Sequence, residues 1–307
     1  MNTNLYANAR SGVLFAVAAY AMWGFAPLYF KLLMFMPALE ILMHRVVWSA
    51  LVLSLLIVML QQWPSVLRAM GSKKIMLTLL AAGTLLAANW LLFIWAVNND
   101  QLLEASLGYY INPLLNILFG RLFLAERLRK LQKVAVVLAF SGVVVAVVGL
   151  GYLPWVALVL ALSFSLYGLL RKTVAVDSLP GLFIETLMML PFALLYWLWF
   201  AGESSDMLSN GASSNTLLLL AGIITTAPLL CFTAAARRIR YTTLGFFQYI
   251  GPSIMFVLAV FYYQEPLYVE RLLTFVFVWM GLVVFCWDSL NQFRRGRKNK
   301  RQVPHSS

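Results

Sequence analysis

Ionisable side chains are rare in this sequence, and four chemically capable residues stand close together in one apolar stretch. Glu40, His44 and Trp48 are four positions apart, and Arg45 follows His44 directly. On a helix the first three share a face, and Arg45 lies about 100° further around the axis. A guanidinium can bind a carboxylate, while an imidazole or a carboxyl group can exchange a proton. We therefore predict a substrate pathway along His44, Arg45 and Trp48 and proton coupling at Glu40 or His44; alternatively, Glu40 and Arg45 pair or extend to the interface.

A second set of small and polar residues recurs at every fourth position of another apolar stretch: Glu104, Gly108, Asn112, Asn116 and Gly120. This spacing places them on one face of a helix, with Tyr109 beside that face. Amides that face lipid are unfavourable, so the face must meet a cavity or another helix. We predict that Tyr109, Asn112 and Asn116 line the substrate pathway and that Glu104 is a candidate for proton coupling. The alternative is that the glycines and amides serve helix packing alone.

Further candidates stand singly in the remaining apolar stretches. Those assigned to the substrate pathway are Trp23, Asn89, Trp90, Gln248 and Tyr249. Trp90 could equally be a packing residue. Glu185 is a further candidate for proton coupling, because a carboxyl group inside a membrane span is a functional hypothesis by default. Pro113 and Pro252 each free a backbone carbonyl in the middle of a span, and we predict that they bend their helices at gating points, with fixed curvature as the alternative.

These side chains must be positioned by helices in a membrane. Of the 307 residues, 62% are hydrophobic and 11% are charged, and the mean hydropathy is +0.84. A soluble chain could not cover that much apolar surface, so the composition excludes a cytosolic globular enzyme, a disordered tail and a disulfide-stapled module. It predicts an all-α protein that crosses a lipid bilayer many times. The net charge of +12 comes from short basic clusters between apolar runs, so no nucleic-acid partner is expected.

Ten apolar runs are each long enough to cross a hydrocarbon core of about 30 Å. They cover residues 12–33, 38–61, 75–97, 102–124, 132–150, 152–171, 181–200, 216–236, 242–264 and 271–289. Of the 23 Lys and Arg residues, all but Lys31, Arg45 and Arg271 fall on one side of the resulting topology. The positive-inside rule therefore predicts that both termini are cytoplasmic, with residues 291–307 forming a basic tail.

The sequence also contains an internal repeat. When the chain is shifted by 139 positions, Tyr110-Ile111-x-Pro113 aligns with Tyr249-Ile250-x-Pro252, and Glu126 aligns with Glu265 without a gap. We interpret the two glutamates as structural, because each precedes the next helix and offsets the positive end of that helix.

The repeat divides the chain into two halves, residues 1–150 and 151–290. Each half contains five spans, and an odd number places the second half upside down relative to the first. Inverted repeats are typical of secondary transporters, because exchanging the arrangements of the two halves opens the centre to opposite sides of the membrane. Substrate is then expected near the membrane midplane, between the halves.

Several motifs carry a resemblance to a known family. Residues 119–128 (FGRLFLAERL), followed by an apolar run, resemble the segment that closes each repeat of EamA-type carriers in the drug/metabolite transporter superfamily. Residues 22–25 (MWGF), 44–49 (HRVVWS) and 106–113 (SLGYYINP) are similar to the RarD branch. This resemblance implies ten helices, a bacterial inner membrane, and export or exchange of small molecules. It does not imply a particular substrate.

We therefore interpret the chain as a secondary transporter that moves a small metabolite or drug-like molecule by alternating access, with protons as a candidate coupling ion. It is not expected to be an enzyme. With two histidines and two cysteines in the sequence, neither a metal site nor a cofactor is expected. The alternative is a membrane-embedded sensor, scaffold or enzyme without transport activity. The sequence leaves open whether the protein is a monomer or a homodimer.

Overall fold

The computed structural model describes residues 2–99, 101–264 and 269–301, and this part of the chain is helical without any strand. Its helices are α1 (Asn2–Leu32), α2 (Ala38–Met59), α3 (Trp63–Met70), α4 (Lys73–Asn98), α5 (Leu102–Phe123), α6 (Lys130–Leu150), α7 (Trp155–Thr173), α8 (Ser178–Phe200), α9 (Ala212–Arg238), α10 (Tyr241–Gln248), α11 (Ile250–Val257) and α12 (Val269–Arg301). A 3₁₀ turn, Glu203–Ser205, follows α8, and a π-helical turn, Leu258–Tyr262, continues α11.

Ten helical segments cross the membrane in this fold, as the sequence predicted. Nine stretches of the described chain are long and apolar enough to do so, and α10, α11 and the π-helical turn together form one of them. The tenth is α5, which is 22 residues long and carries Asn112, Pro113 and Asn116 near its middle. These polar residues lower its hydropathy, so α5 depends on partners that satisfy its amides.

Two elements differ from the predicted boundaries. The short helix α3 lies in the connection between the second and third spans, where no helix was predicted. The last helix, α12, runs on to Arg301, so helical structure continues into the segment that was predicted to be a tail.

The two halves are antiparallel, and the contact between α6 and α12 shows this directly. A Cβ atom on Gly142 would lie 2.9 Å from the Thr274 carbonyl, and a Cβ atom on Gly281 would lie 2.8 Å from the Ala135 carbonyl. The two contacts are related by the 139-residue shift, and their order along the helices is reversed. Glycine at both positions therefore allows close packing of two corresponding helices that run in opposite directions.

The 139-residue repeat is also visible in the backbone angles after the fourth span of each half. Ala125 has φ of 52° and Gln264 has φ of 54°, and these residues are 139 positions apart. A positive φ is uncommon for residues other than glycine. Its recurrence at corresponding positions shows that the repeat extends to local backbone conformation.

The helices of the two halves also pack against each other in corresponding pairs. The first helix of one half, α1, packs against α9 and α11, while its counterpart α7 packs against α4 and α5. Helices α2 and α8 contact each other, as do α5 and α10. The centre of the bundle is therefore an interface between halves.

Most charges lie at one end of the bundle. We call this the basic end; it carries, among others, Arg68, Lys73, Arg121, Arg171 and Arg237. The halves are joined there by Glu126, whose carboxylate accepts from Tyr241 N at 2.7 Å and from Thr242 N at 2.9 Å. Within the second half, Lys172 Nζ donates to the carbonyls of Ala236 and Ile239 at 2.8 and 2.6 Å, and Tyr241 Oη donates to the Ser165 carbonyl at 2.6 Å. These contacts close the basic end in this structure.

Candidate functional site

A narrow cavity of about 10 Å³ lies between α2, α4, α8 and α9, where the two halves meet. Its apolar walls include Leu53, Leu86 and Leu229. Its polar and aromatic lining comes from both halves: Arg45, Ser49, Trp90, Thr186, Thr225 and Thr226. A cavity of this size has room for about one water molecule, so the structure represents a closed arrangement of the site.

Arg45 is the charged group in this lining. Its Nε donates to Thr225 Oγ1 at 2.9 Å, which links α2 to α9 across the two halves. Its guanidinium carbon lies 4.7 Å from the ring centre of Trp90 and 5.3 Å from that of Phe30. Among the described residues no carboxylate lies within ion-pair distance of Arg45. The cation is thus stabilised by aromatic faces and one hydroxyl, which leaves its terminal nitrogens able to receive an anion.

Thr226 adds a second polar group to the cavity. Its hydroxyl oxygen is buried and has no hydrogen-bond partner in the described structure. A buried hydroxyl without a partner is unfavourable, so a bound molecule that bonds to it would recover that loss. Thr226 and Arg45 together offer one neutral and one positive contact to a ligand.

His44 and Trp48 pack toward α8 and do not belong to the cavity lining. Trp48 Nε1 donates to His44 Nδ1 at 3.1 Å, and the His44 ring lies 5.2 Å from the Trp197 ring. The other ring nitrogen, His44 Nε2, is buried without a hydrogen-bond partner. His44 and Trp48 therefore lie at the contact between α2 and α8, outside the lining of the closed cavity, and their part in a substrate pathway stays a prediction.

Glu40 lies at the start of α2 and binds the turn that follows α8. Its carboxylate accepts from Gly202 N at 3.0 Å, from Ser204 Oγ at 2.7 Å and from Ser205 Oγ at 2.5 Å. The alternative pairing between Glu40 and Arg45 does not form. In this structure Glu40 fastens the 3₁₀ turn to the end of the bundle opposite the basic end.

The predicted amides form a series of hydrogen bonds between helices, which we call the amide ladder: Asn89, Asn112, Asn116 and Gln248. Asn112 Nδ2 donates to the Ala161 carbonyl at 2.8 Å, and Asn116 Nδ2 donates to Gln248 Oε1 at 2.7 Å. Asn89 Nδ2 donates to the Leu160 carbonyl at 2.8 Å. All three bonds join the first half to the second. In this state the amides hold the halves together, and their contact with substrate stays a prediction.

The remaining candidates along the pathway are aromatic. Trp23 packs 5.7 Å from Phe164 and 5.8 Å from Phe232, in a cluster at the interface of the halves. The side chain of Tyr109 is 39% exposed and lies edge-on to Phe93 at 6.2 Å. Tyr249 is buried, and its hydroxyl donates to the backbone of α5. Of these, Tyr109 is the residue whose side chain is exposed.

The two prolines are not equivalent in the structure. Pro252 follows a break in the ninth span, because α10 ends at Gln248 and α11 begins at Ile250. Pro113 lies inside the uninterrupted helix α5. A Cβ atom on Gly245 would lie 2.7 Å from the Pro113 carbonyl, so this region of α5 packs tightly against α10. The helix is therefore interrupted near the proline in one repeat only, and bending at gating points stays a prediction.

The structure reveals a buried ion pair that the sequence analysis did not assign. Arg171 NH1 lies 3.4 Å from Glu185 Oε1, and both side chains are fully buried. Arg171 was predicted only as one of the topology-setting cations. The sequence did contain a signal for this pair. The loop between α7 and α8 is short, so the two helices must form an antiparallel hairpin that brings the end of α7 close to the start of α8. The side chain of the other coupling candidate, Glu104, lies outside the described residues, as does Glu265.

Glu126 has a structural role, although at a different helix from the one predicted. Its carboxylate accepts from Tyr241 N at 2.7 Å and from Thr242 N at 2.9 Å. These amides form the start of α10, whereas the helix that follows Glu126 in sequence begins at Lys130. Glu126 therefore offsets the positive end of a helix in the opposite half.

Comparisons with known proteins agree with this architecture. The profile described as the EamA-like transporter family matches residues 10–148. An uncharacterized transporter of Vibrio cholerae is 52% identical over 292 residues, which cover 95% of this chain and 97% of the relative. Protein RarD of Escherichia coli is 50% identical over 290 residues, which cover 94% and 98%. The chloramphenicol-sensitive protein RarD of Pseudomonas aeruginosa is 35% identical and covers 92% and 96%.

A solved crystal structure shares the fold. It superimposes with a TM-score of 0.71 at 18% sequence identity, covering 90% of this chain and 96% of the other. At that identity the similarity concerns the arrangement of helices alone.

Proposed function

The chain belongs to the EamA-like transporter family, within its group of RarD proteins, and on this basis we propose that it is a secondary carrier of small anionic molecules. It is a multi-pass protein of the bacterial inner membrane. The proposal adds to this membership a class of cargo, a binding residue and an alternating-access mechanism.

The observation that carries the proposal is the position of Arg45. A charge inside a membrane span is retained at a cost, and here no described carboxylate compensates it. The cation lies at the cavity, bonded to Thr225 of the other half. A substrate carboxylate would supply the missing negative charge, and the faces of Trp90 and Phe30 would contact its apolar part. The preferred cargo is therefore a small molecule with one anionic group and a flat or apolar body.

Alternating access follows from the placement of the site between inverted halves. The basic end is closed in this structure, and the amide ladder spans the interface. To open the basic end, the halves must separate there and the ladder must lose bonds such as Asn116 to Gln248. The amides released in this way would then be available to the substrate, which is the role that the sequence predicted for them.

The proposal also covers the orientation of the protein in the membrane and the direction of transport. The positive-inside rule places the basic end and both termini in the cytoplasm. Export or exchange is preferred because of the family, since no residue of the site sets a direction. The free energy that drives transport would come from gradients, as the sequence contains no Walker A motif for ATP binding.

The test measures uptake into inside-out vesicles that contain the protein. The panel pairs aromatic and aliphatic carboxylates with their neutral amides and adds antibiotics. We expect protein-dependent uptake of one or more carboxylates, its loss in Arg45→Ala, and partial retention in Arg45→Lys, because lysine keeps the charge but not the planar geometry. Arg68→Ala is the matched control, because Arg68 is an exposed arginine on α3.

Two results would overturn the proposal. One is unchanged uptake of a carboxylate in Arg45→Ala. The other is the absence of protein-dependent uptake across the panel although the protein is folded, which would favour a sensor or scaffold.

A further inference from the structure

The buried pair of Arg171 and Glu185 is poorly satisfied for a static ion pair. Its N–O distance is 3.4 Å, and the hydroxyl of Tyr167 approaches Glu185 Oε2 only to 3.5 Å. Arg171 NH2 donates to the Ser178 carbonyl at 3.0 Å. Glu185 Oε1, Arg171 Nε and Arg171 NH1 are buried without a hydrogen-bond partner in the described structure.

Such a pair is inefficient as a structural link. Removing two charges from water is offset only when the geometry is good and further hydrogen bonds satisfy both groups. Neither condition holds here. A role in which the carboxyl group changes its charge explains the arrangement, because a site that binds and releases a proton must tolerate both forms.

We propose that Glu185 is a proton-binding site of the carrier and that Arg171 is the charged partner which couples its protonation to opening of the basic end. This inference rests on the proposed function, since it names the coupling ion of the same transport cycle. The step itself is the addition of one proton to the carboxylate, which produces a neutral acid and leaves Arg171 as an unpaired cation.

The position of Glu185 connects it to the cavity. The residues that flank it on α8, Leu182 and Thr186, both line the cavity that contains Arg45. Glu185 also packs against Gly83 of α4, whose added Cβ atom would lie 3.8 Å from the glutamate side chain. The carboxyl group therefore lies within one helical turn of the substrate site and at the contact between halves.

Few other charges face the pair. Besides Arg171, α7 contributes one titratable group, the hydroxyl of Tyr167. The ring of Tyr167 stacks on Phe232 of α9 at 6.0 Å. At the basic end, Arg237 of α9 pairs with Asp177 at 3.1 Å, beside the loop that leads into α8. The segment of α4 that touches Glu185 contributes a glycine. Protonation of Glu185 therefore changes the charge balance around Arg171 with little compensation from neighbours.

The direction of coupling follows from the cost of an unpaired buried cation. When Glu185 is ionised, it pairs with Arg171 and keeps the basic end closed. When Glu185 binds a proton, Arg171 gains by reaching water, which requires the ends of α7 and α8 to separate from α4 of the first half, whose Gly83 contacts Glu185. Proton binding thus favours opening at the basic end. With that end in the cytoplasm, the proton-bound form is the one that opens the site to the cytoplasm.

The first experiment detects the proton directly and uses no substrate. Purified full-length protein in lipid nanodiscs is titrated with acid and followed by infrared difference spectroscopy at the stretch of protonated carboxyl groups. We expect one band that decreases as the pH rises and is missing from Glu185→Gln. Glu203→Gln, which removes an exposed carboxyl group, should keep the band. An unchanged band in Glu185→Gln overturns the inference.

The second experiment tests the coupling and remains informative if the band is weak. Cys231 and Cys286 are replaced by serine, and Ser178→Cys places a thiol at the start of α8. Labelling by a membrane-impermeant maleimide in inside-out vesicles is compared at one pH, with Glu185 or with Glu185→Gln. We expect several-fold faster labelling with Glu185→Gln, which imitates the protonated form. Equal rates overturn the coupling to the basic end.

These readouts separate the two proposals. Carboxylate uptake that depends on Arg45, together with an absent infrared band, would leave the carrier standing and refute Glu185 as its proton site. Absence of uptake of every compound by the folded protein would refute the carrier, whatever the spectrum shows.

Discussion

Tyr249 donates a hydrogen bond of 3.2 Å from its hydroxyl to the backbone carbonyl of Tyr110, the residue 139 positions before it. The two tyrosines hold corresponding places in the two halves. Residues related by a twofold axis can touch only where they lie beside that axis. This bond therefore marks the approximate axis of the inverted repeat, between α5 and the break that separates α10 from α11.

The first prediction concerns this bond. Tyr249→Phe removes the hydroxyl and keeps the buried ring, so we expect the free energy of unfolding to fall by about 1 kcal/mol, the usual contribution of one hydrogen bond. Tyr262→Phe is the control, because that side chain is 67% exposed. Unfolding is measured in bicelles of one composition. Equal changes in the two variants would contradict a specific role for the axial bond.

The second prediction compares two glycines that correspond in the repeat, Gly83 and Gly222. A Cβ atom on Gly222 would lie 2.5 Å from the Trp48 carbonyl carbon, whereas one on Gly83 would meet nothing closer than 3.8 Å. We expect Gly222→Ala to destabilise the protein by about 1–3 kcal/mol or more through overpacking against backbone, and Gly83→Ala to be tolerated. Thermal unfolding of the two variants in the same detergent gives the comparison. If Gly222→Ala were tolerated as well as Gly83→Ala, α2 and α9 would have to move apart easily to accept the added methyl group.

The third prediction addresses the amide ladder through Asn116 and Gln248. Asn116→Leu and Gln248→Met each remove one side of the 2.7 Å bond while keeping similar volume. We expect a double-mutant cycle to give a coupling energy between about 0.6 kcal/mol, the average for side-chain bonds between membrane helices, and about 1.7 kcal/mol, the largest value found for them. Additive effects of the two substitutions would mean that the bond does not contribute to the closed state.

The fourth prediction concerns Glu126 at the start of α10. Glu126→Ala removes the acceptor for Tyr241 N and Thr242 N together with a charge that offsets the helix end. We expect a loss of about 1–3 kcal/mol, because two buried amides lose their partner. Glu203→Ala, at an exposed carboxylate, should be nearly neutral. Equal stability of both variants would remove the role assigned to Glu126.

Hydropathy and periodicity predicted much of the fold because both depend only on residues that are close together in the sequence. The ten spans follow from the length of hydrocarbon that each must cross. The repeat register was visible in Tyr110 and Tyr249, and the structure confirms it in the glycine contacts of α6 and α12. Residues of α5 spaced by four share a face in the structure as well, since that relationship is local to one helix.

The partners of individual side chains could not be predicted in the same way. Asn112 shows the reason: its position on a polar face was evident, but whether that face meets a cavity or α7 depends on how a distant helix is rotated. Glu40 was assigned to coupling, yet a turn 162 residues later in the chain supplies its hydrogen-bond donor Gly202. Arg171 resembled an ordinary end-of-span cation, because the sequence does not state how deeply a helix end is buried.

The polar middle of α5 has a consequence for how the protein is made. Asn112 bonds to the Ala161 carbonyl, and Asn116 bonds to Gln248, which is 132 residues further along. At the speed of a ribosome that interval lasts on the order of 10 s. During this time the newly inserted first half carries amides whose partners in the second half have not yet been synthesised. A nascent chain interrupted near residue 150 would therefore expose polar groups to lipid, and it would be a natural substrate for membrane proteases and chaperones.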